Sequence, residues 1–158
     1  MRPFAKIFRL FIVTVILSGL FAGLQCDKGT DSEKTGSIIG SWRMATVIMK
    51  DTPVGNLTLQ AEDFLELSGT GATTSTLQFN EDGSAALTTT YTDGSEEVVP
   101  GAWTTDGSEL NLEGAGIDDT VLYDVDGNTL TLTIILPIDF DSDGTTEDTE
   151  VDMIYNRL

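Results

Sequence analysis

The chain contains no histidine, a single cysteine and very few basic residues. Eight Lys and Arg stand against 26 Asp and Glu among its 158 residues, and no Lys or Arg lies between Lys50 and Arg157. Without imidazole, the chain cannot build a Ser-His-Asp or Cys-His catalytic centre or a His-bearing zinc site. Nucleic-acid binding depends on Lys and Arg that neutralise phosphates. The composition therefore predicts a protein that is not an enzyme, has no organic cofactor and does not bind nucleic acid.

The few basic residues are concentrated at the N-terminus. Arg2, Lys6 and Arg9 precede a mostly apolar run, residues 10–24, that ends just before Cys26. This is the layout of a signal peptide, and at about 1.5 Å per residue the run is too short for the roughly 30 Å hydrocarbon core of a membrane. We expect residues 1–25 to be a signal peptide, whose removal leaves 26 acids and 5 bases, a net charge of −21.

Cys26 follows the apolar run and cannot form a disulfide within this chain, because it has no partner cysteine. Its position resembles that of the cysteine that bacterial lipoprotein signals lipidate. The resemblance implies a protein of the bacterial cell envelope, anchored to a membrane by its N-terminal lipid and facing the periplasm or the exterior. The alternative is a conventional signal, cut near Ala22 or Gly23, and a secreted protein. Residues 26–37 contain almost no apolar residue, so we expect a flexible tether.

Residues 38–158 are long enough for one domain and have the pattern of an all-β fold. Short runs rich in Thr, Val, Ile and Leu are separated by turn signals such as Asp82-Gly83, Asp93-Gly94 and Asp106-Gly107. Asp-Gly supplies the positive φ that tight hairpins need. We expect eight antiparallel strands, over residues 38–50, 75–79, 84–91, 98–104, 109–112, 120–125, 129–136 and 149–157. The segment 60–67 is compatible with one or two helical turns that act either as a lid or as a plug.

Several short motifs in this order resemble bacterial lipocalin-like domains. They are Gly40-Ser41-Trp42, the run from Thr76 to Ser84, Gly101-Ala102-Trp103, Leu110-Asn111-Leu112, the run from Tyr123 to Leu132, and the closing Tyr155-Asn156-Arg157-Leu158. The resemblance implies a single eight-stranded antiparallel up-and-down lipocalin-like barrel. It also implies that Trp42 closes one barrel end beneath Arg157, and guanidinium over indole is worth about 0.5 to 2 kcal/mol.

An eight-stranded barrel is either filled by its side chains or left open for one small ligand. Strand alternation places Trp42, Met44, Thr46 and Ile48 on one face, and small residues such as Ala85 leave room inside. The candidate cavity residues are Met44, Ile48, Ala85, Leu87, Tyr91, Trp103, Tyr123 and Leu132. Since the middle of the chain has no Lys or Arg to pair with an acidic ligand, the preferred ligand is a small neutral lipophile.

The segment 139–150 fits the calcium-loop spacing D-x-D-x-D-G-x5-E. Asp139, Asp141, Asp143, Thr145, Glu147 and Glu150 would supply the oxygen ligands. The predicted flanks are strands rather than the two helices of an EF-hand, so a solvated acidic hairpin loop is the alternative.

Two functions from different classes remain open at this point. The first is a binding module, a tethered barrel that holds a small apolar molecule. The second is a structural or surface-interaction protein of the envelope with a filled barrel and no ligand. The sequence leaves the oligomeric state undetermined.

Overall fold

The computed structural model describes residues 37–114, 119–139 and 144–158, and these form a closed eight-stranded antiparallel barrel. The elements in chain order are β1 (Gly40–Thr52), β2 (Gly55–Gln60), α1 (Ala61–Leu67), β3 (Ala72–Phe79), β4 (Ser84–Tyr91), β5 (Glu96–Asp106), β6 (Glu109–Gly114), β7 (Asp119–Asp126), β8 (Thr129–Ile138) and β9 (Glu147–Arg157). The predicted fold class is therefore confirmed.

From β3 to β9 each strand pairs with the next along the chain, and β9 closes the barrel by pairing with β1. Tight turns make several of these connections. Asp82 and Asp93 each accept hydrogen bonds from the hydroxyl and the backbone N–H of the serine two residues later. These bonds, the hydroxyl bond foremost, lower the pKa of both carboxyl groups. The Asp-Gly-Ser turns thus carry their own hydrogen-bond partners, which is why the sequence signal for hairpins is strong here.

The first strand has two partners along the same edge. Gly40–Arg43 pair with β3, whereas residues from Thr46 to Thr52 pair with β2. The strand β2 was not predicted, although its leucines, Leu57 and Leu59, alternate with polar residues. The helical segment was predicted correctly. The helix α1 packs beside the point where β1 changes its partner from β3 to β2.

A β-bulge in β1 changes which side chains face inward. The register against β9 shifts between Met44 and Thr46. Beyond the bulge Val47 and Met49 are buried, while Ile48 is only partly buried and does not belong to the core. The expectation that Thr46 and Ile48 share the inner face with Trp42 and Met44 is wrong, because one extra residue in a strand exchanges its two faces.

Candidate ligand-binding site

One end of the barrel is closed by Trp42 and Arg157. Trp42 is fully buried and its indole Nε1 donates to the carbonyl of Ile38 at 2.7 Å. The Arg157 guanidinium carbon lies 4.2 Å from the centroid of the Trp42 ring, and Nη1 donates to the carbonyl of Ile39. A Cβ on Gly40 would lie 2.9 Å from that Nη1, so a larger residue there would displace the guanidinium. The predicted pairing of Trp42 with Arg157 is present.

The half of the barrel next to this closed end is filled. Its inner face is made of side chains with almost no exposed surface: Trp42, Leu77, Phe79, Leu110, Leu112, Val125, Leu130, Leu132 and Tyr155. Trp103 covers the same end, where its ring meets Phe79 edge-on at 5.6 Å and its Nε1 donates to the carbonyl of Asn80. Burial raises the pKa of the Tyr155 hydroxyl, since an anion there would be desolvated. This half has no room for a ligand.

The inner face of the opposite half combines buried residues, Met49, Thr149 and Val151, with apolar side chains that pack against the core and keep exposed surface. The partly exposed ones are Ile134, Leu136 and Ile138, together with Leu87, Tyr123 and Met153, which lie at the boundary with the packed half, directly opposite Leu77 and Leu132. They are inner because they alternate with outward residues such as Ile135, which is 58% exposed. Partial exposure of so many inward apolar side chains marks this half as the open one.

The pairing of β5 to β8 can be followed up to the connection between β6 and β7, whose residues 115–118 fall outside the described part of the chain. Pairing between β5 and β6 begins at Gly101, so residues 96–100 of β5 extend past the end of β6. Pairing between β7 and β8 ends at Leu122 with Thr133, so β8 continues to Ile138 without a β7 partner among the described residues. Along this side, the described parts of β5 and β8 therefore extend beyond the described parts of β6 and β7.

Polar groups on the inner face of the open half include the hydroxyls of Ser75, Thr89 and Thr149, and none carries a positive charge among the described residues. Tyr91 donates its hydroxyl to a Glu97 carboxylate oxygen at 2.6 Å, and this bond raises the pKa of the tyrosine. The described cations lie elsewhere. Arg43 is exposed on the outer face, Arg157 is at the closed end, and Lys50 lies outside on β1. The described part of the site can thus offer apolar contacts, several hydroxyls and the Tyr91–Glu97 pair, but no cationic partner for an anion.

Lys50 is held on the outer face by two acids of β9. Its Nζ lies 2.5 Å from a Glu150 oxygen and 2.8 Å from an Asp152 oxygen, and the other Asp152 oxygen accepts the Thr133 hydroxyl at 2.7 Å. The hydrogen bonds to Asp152 and then Glu150 raise the pKa of Lys50. This cluster joins β1, β8 and β9 on the outside of the barrel.

The helix α1 packs against β1, β2 and β3. Leu65 is buried, and Phe64 and Ala61 pack against the core. Two depressions flank the helix, a groove of about 450 Å³ that includes Glu62 and Glu66 and a smaller one of about 210 Å³ that includes Met44 and Gln60. The segment was predicted to be either a lid over a cavity or a plug that buries a barrel end, and its contacts with β1, β2 and β3 test neither role.

The predicted cavity residues are divided between the two halves. Met44, Ala85 and Leu132 are buried in the packed interior, and Trp103 packs at the closed end. Leu87, Tyr91 and Tyr123 lie on the inner face of the open half. Ile48 is on the outer face, as described above.

Ile134, Leu136, Ile138 and Met153 were not among the predicted cavity residues. The alternation along β8 would have indicated the first three, because they continue the face of the buried Leu130 and Leu132.

The acidic loop is described only in part, since Asp141 and Asp143 fall outside the described residues. Cys26, the predicted signal peptide and most of the predicted tether also fall outside them. Asp139 accepts the backbone N–H of Gly144 at 3.1 Å with one oxygen, while its other oxygen is buried with no hydrogen-bond partner among the described residues. Thr145 follows Gly144 ahead of β9, Glu147 begins β9 and pairs with Ile138, and Glu150 is bound to Lys50.

Glu147 and Glu150 stand three positions apart in β9 and so point to opposite faces of the strand. Within the described part of the chain, no three acidic or cysteine side chains are grouped so that they could hold a metal ion. In the same residues, no helix combines the length and the apolar character needed to cross a membrane.

No protein-family model matches the chain, and no curated protein matches it. Among solved structures, the chain is similar to EF1p2_mFAP2b bound to DFHBI, with 13% sequence identity and a TM-score of 0.38. The match covers 77% of this chain and 94% of that one. At this TM-score the similarity carries no argument about ligands, and the binding of DFHBI is a property of that protein.

Proposed function

We propose that the protein is a non-enzymatic, lipid-anchored protein of the bacterial cell envelope whose barrel binds a small neutral apolar molecule. The observation that supports the binding function is the partly exposed apolar inner face of the open half, formed by Leu87, Tyr123, Ile134, Leu136, Ile138 and Met153. Burying such a surface against an apolar ligand gains roughly 25 cal/mol per Å². A concave apolar face with few polar groups is the usual character of a small-molecule site.

The charge distribution supports a neutral ligand over an acidic one. A ligand carboxylate in the open half would meet Glu97 and no Lys or Arg among the described residues. Leaving a charge unpaired in an apolar site is costly, whereas the Tyr91–Glu97 pair can orient a neutral hydroxyl or amide at the rim. Fatty acids are therefore poor candidates, and neutral lipophiles fit.

Native mass spectrometry of the protein purified from its own cells without chelator tests this proposal first. A retained small molecule at about one per chain would support a carrier. A bare polypeptide that also fails to bind a neutral fluorescent probe, N-phenyl-1-naphthylamine, would favour the second function, an envelope protein with a filled barrel. The specific observation behind that second function is the packed closed half.

A matched pair of variants on β8 locates the probe. Ile134→Glu places a charge on the inner face of the open half, and Ile135→Glu places the same charge on the outer face, where the native side chain is 58% exposed. We expect the first to abolish the probe's fluorescence enhancement and the second to preserve it. Equal loss in both variants would place the probe outside the barrel.

The proposed anchor depends on Cys26. Cells supplied with radiolabelled fatty acid should incorporate it into the wild-type protein and not into Cys26→Ser, which should leave the membrane fraction. If the label does not enter the wild-type protein and Cys26→Ser stays in the same fraction, the protein is secreted by a conventional signal instead.

We propose in addition that the loop between β8 and β9 binds calcium, and the observation that favours it is the buried, unpartnered Asp139 oxygen. Because Glu150 is occupied by Lys50, the ion would rely on the loop's aspartates more than on its last glutamate. Binding to the folded state alone must raise the melting temperature. Millimolar CaCl₂ should therefore raise Tm more than MgCl₂ does, and Asp139→Asn should remove the difference. Equal melting temperatures in the two salts would exclude the site.

A further inference from the structure

Some stretches of strand edge lack a strand partner among the residues that the structure describes. They are the start of β3 before Thr76, residues 96–100 of β5, residues 134–138 of β8, and the outer edge of β2. Unpaired edges offer backbone N–H and C=O groups to other chains, so soluble proteins protect them with charges, prolines or covering elements.

Three of these edges carry such protection. The helix α1 packs against β3, residues 96–100 of β5 include Glu96, Glu97 and Pro100, and the exposed stretch of β8 includes Pro137. Proline cannot donate to a new ladder, and a glutamate on an edge repels an approaching acidic chain. Pairing with another strand is therefore discouraged at each of these places.

The outer edge of β2 has none of these devices. The strand reads Gly-Asn-Leu-Thr-Leu-Gln, contains no charge and no proline, and is exposed at every position but Leu59. It lies within an uncharged stretch, residues 52–61, of a chain with 26 acids. A second copy could approach this edge without placing acids directly opposite acids.

The residue types of β2 are symmetric about Thr58. Asn56 and Gln60 are amides, Leu57 and Leu59 are leucines, and Thr58 is at the centre. In an antiparallel pair centred there, each leucine lies opposite a leucine of the second copy and each amide opposite an amide. We propose that two copies of the chain dimerise by pairing their β2 strands antiparallel, with Thr58 opposite Thr58.

The dimer is two-fold symmetric, as a self-complementary edge requires. Leu57 and Leu59 are two positions apart and share a face, so the pair collects four leucines on one side of the new ladder. Asp51 and Glu62 fall outside the five paired residues of each strand. The interface is well below the roughly 1,200 Å² of a standard stable complex, so the dimer is weak and concentration-dependent.

Disulfide cross-linking tests both the contact and its register. In a Cys26→Ser background an introduced cysteine is the only thiol of the chain. Directly opposite Cα atoms in an antiparallel ladder are about 4.5 to 5.5 Å apart, within disulfide range. Thr58→Cys should therefore form a covalent dimer under mild oxidation, whereas Asn56→Cys should not, because the two copies of that position are about 13 Å apart.

Co-expression of Asn56→Cys with Gln60→Cys should restore the cross-link, since those two positions face each other. Failure of Thr58→Cys to cross-link would overturn the proposal. Equal cross-linking of Asn56→Cys and Thr58→Cys would also overturn it, because the disulfides would then come from random collisions and not from strands paired with Thr58 opposite Thr58.

Sedimentation velocity of the mature protein purified from its own cells measures the monomer–dimer equilibrium independently. The buffer contains about 0.5 M NaCl, which screens the charge repulsion between copies. Leu57→Glu should weaken dimerisation by about tenfold or more, since each dimer would bring two carboxylates into the leucine cluster. Val98→Glu, on a protected edge and 58% exposed, is the matched control and should leave it unchanged. A protein that stays monomeric at every concentration, or a dimer that Val98→Glu disrupts and Leu57→Glu does not, would refute the β2 interface.

Discussion

The contact between Arg157 and Trp42 should make their substitutions non-additive. Arg157→Met removes the guanidinium but keeps most of the stem that covers the ring, and Trp42→Leu removes the indole but keeps an apolar side chain. The native guanidinium carbon is 4.2 Å from the ring centroid, and the ring is fully buried. Each single substitution therefore loses the stacking, and the double substitution loses it only once.

The expected magnitudes follow from what each side chain contacts. Trp42→Leu leaves a cavity in the packed half and one carbonyl without its indole donor, at a cost of about 3 kcal/mol. Arg157→Met loses hydrogen bonds to the carbonyls of Ile39 and Ser37, which water can partly replace, at about 2 kcal/mol. With about 1 kcal/mol of stacking energy shared, the double variant should lose about 4 kcal/mol rather than 5.

Urea unfolding followed by circular dichroism and by the remaining Trp103 measures these free energies. A coupling of about 1 kcal/mol corresponds to roughly 0.5 M in the urea midpoint. Arg43→Met is the matched control, since Arg43 is adjacent in sequence but exposed on the outer face, and its substitution should add to that of Trp42. The stacking argument would be refuted by a coupling energy below about 0.3 kcal/mol between Arg157 and Trp42. It would also be refuted if Arg43 and Trp42 showed a coupling energy as large as that of Arg157 and Trp42.

Three further predictions concern other parts of the barrel. Burial raises the folded-state pKa of Tyr155, so its contribution to stability is complete below the ordinary tyrosine pKa of about 10 and is lost as the pH rises above it. In urea unfolding at a series of pH values, Tyr155→Phe should therefore lose less stability at alkaline pH than the wild type. Lys50→Met should destabilise by about 1 kcal/mol and more at low salt than at high salt, because it leaves Asp152 beside a second acid. Gly114→Ala should cost about 2 kcal/mol or more, and Gly94→Ala about 1 kcal/mol, by thermal unfolding.

The glycine comparison isolates a steric contact. Both residues have a positive φ, +77° at Gly114 and +80° at Gly94, so the backbone strain of an alanine is similar. A Cβ on Gly114 would lie 2.9 Å from the Pro100 carbonyl oxygen, whereas nothing lies within 4 Å of a Cβ on Gly94. Equal costs would show that β5 and β6 can separate without penalty. For Lys50→Met, a loss of stability that does not depend on salt would indicate lost packing of the aliphatic stem. For Tyr155→Phe, an unchanged loss of stability at alkaline pH would assign that loss to other titrating groups.

Most of the architecture could be predicted because alternation and turn chemistry are local properties. Asp-Gly signals placed the hairpins, and the alternation of Leu130 and Leu132 with threonines identified an inner face. The strand β2 was missed because six mostly exposed residues make a weak apolar signal. The inner face of β1 beyond Met44 was predicted wrongly because a β-bulge depends on how two strands pair and leaves no mark in one strand's residue pattern.

The sequence by itself determined the exclusions and the character of the barrel interior. A chain without histidine cannot place an imidazole in its barrel, and one without Lys or Arg between Lys50 and Arg157 has few cations to place there. Only the tertiary structure decided which half of that interior is filled and which edges stay open. Those properties depend on how strands pair, because β1 changes partners along its length and β2 pairs with β1 alone among the described strands. Such pairings join residues that are separated in the chain.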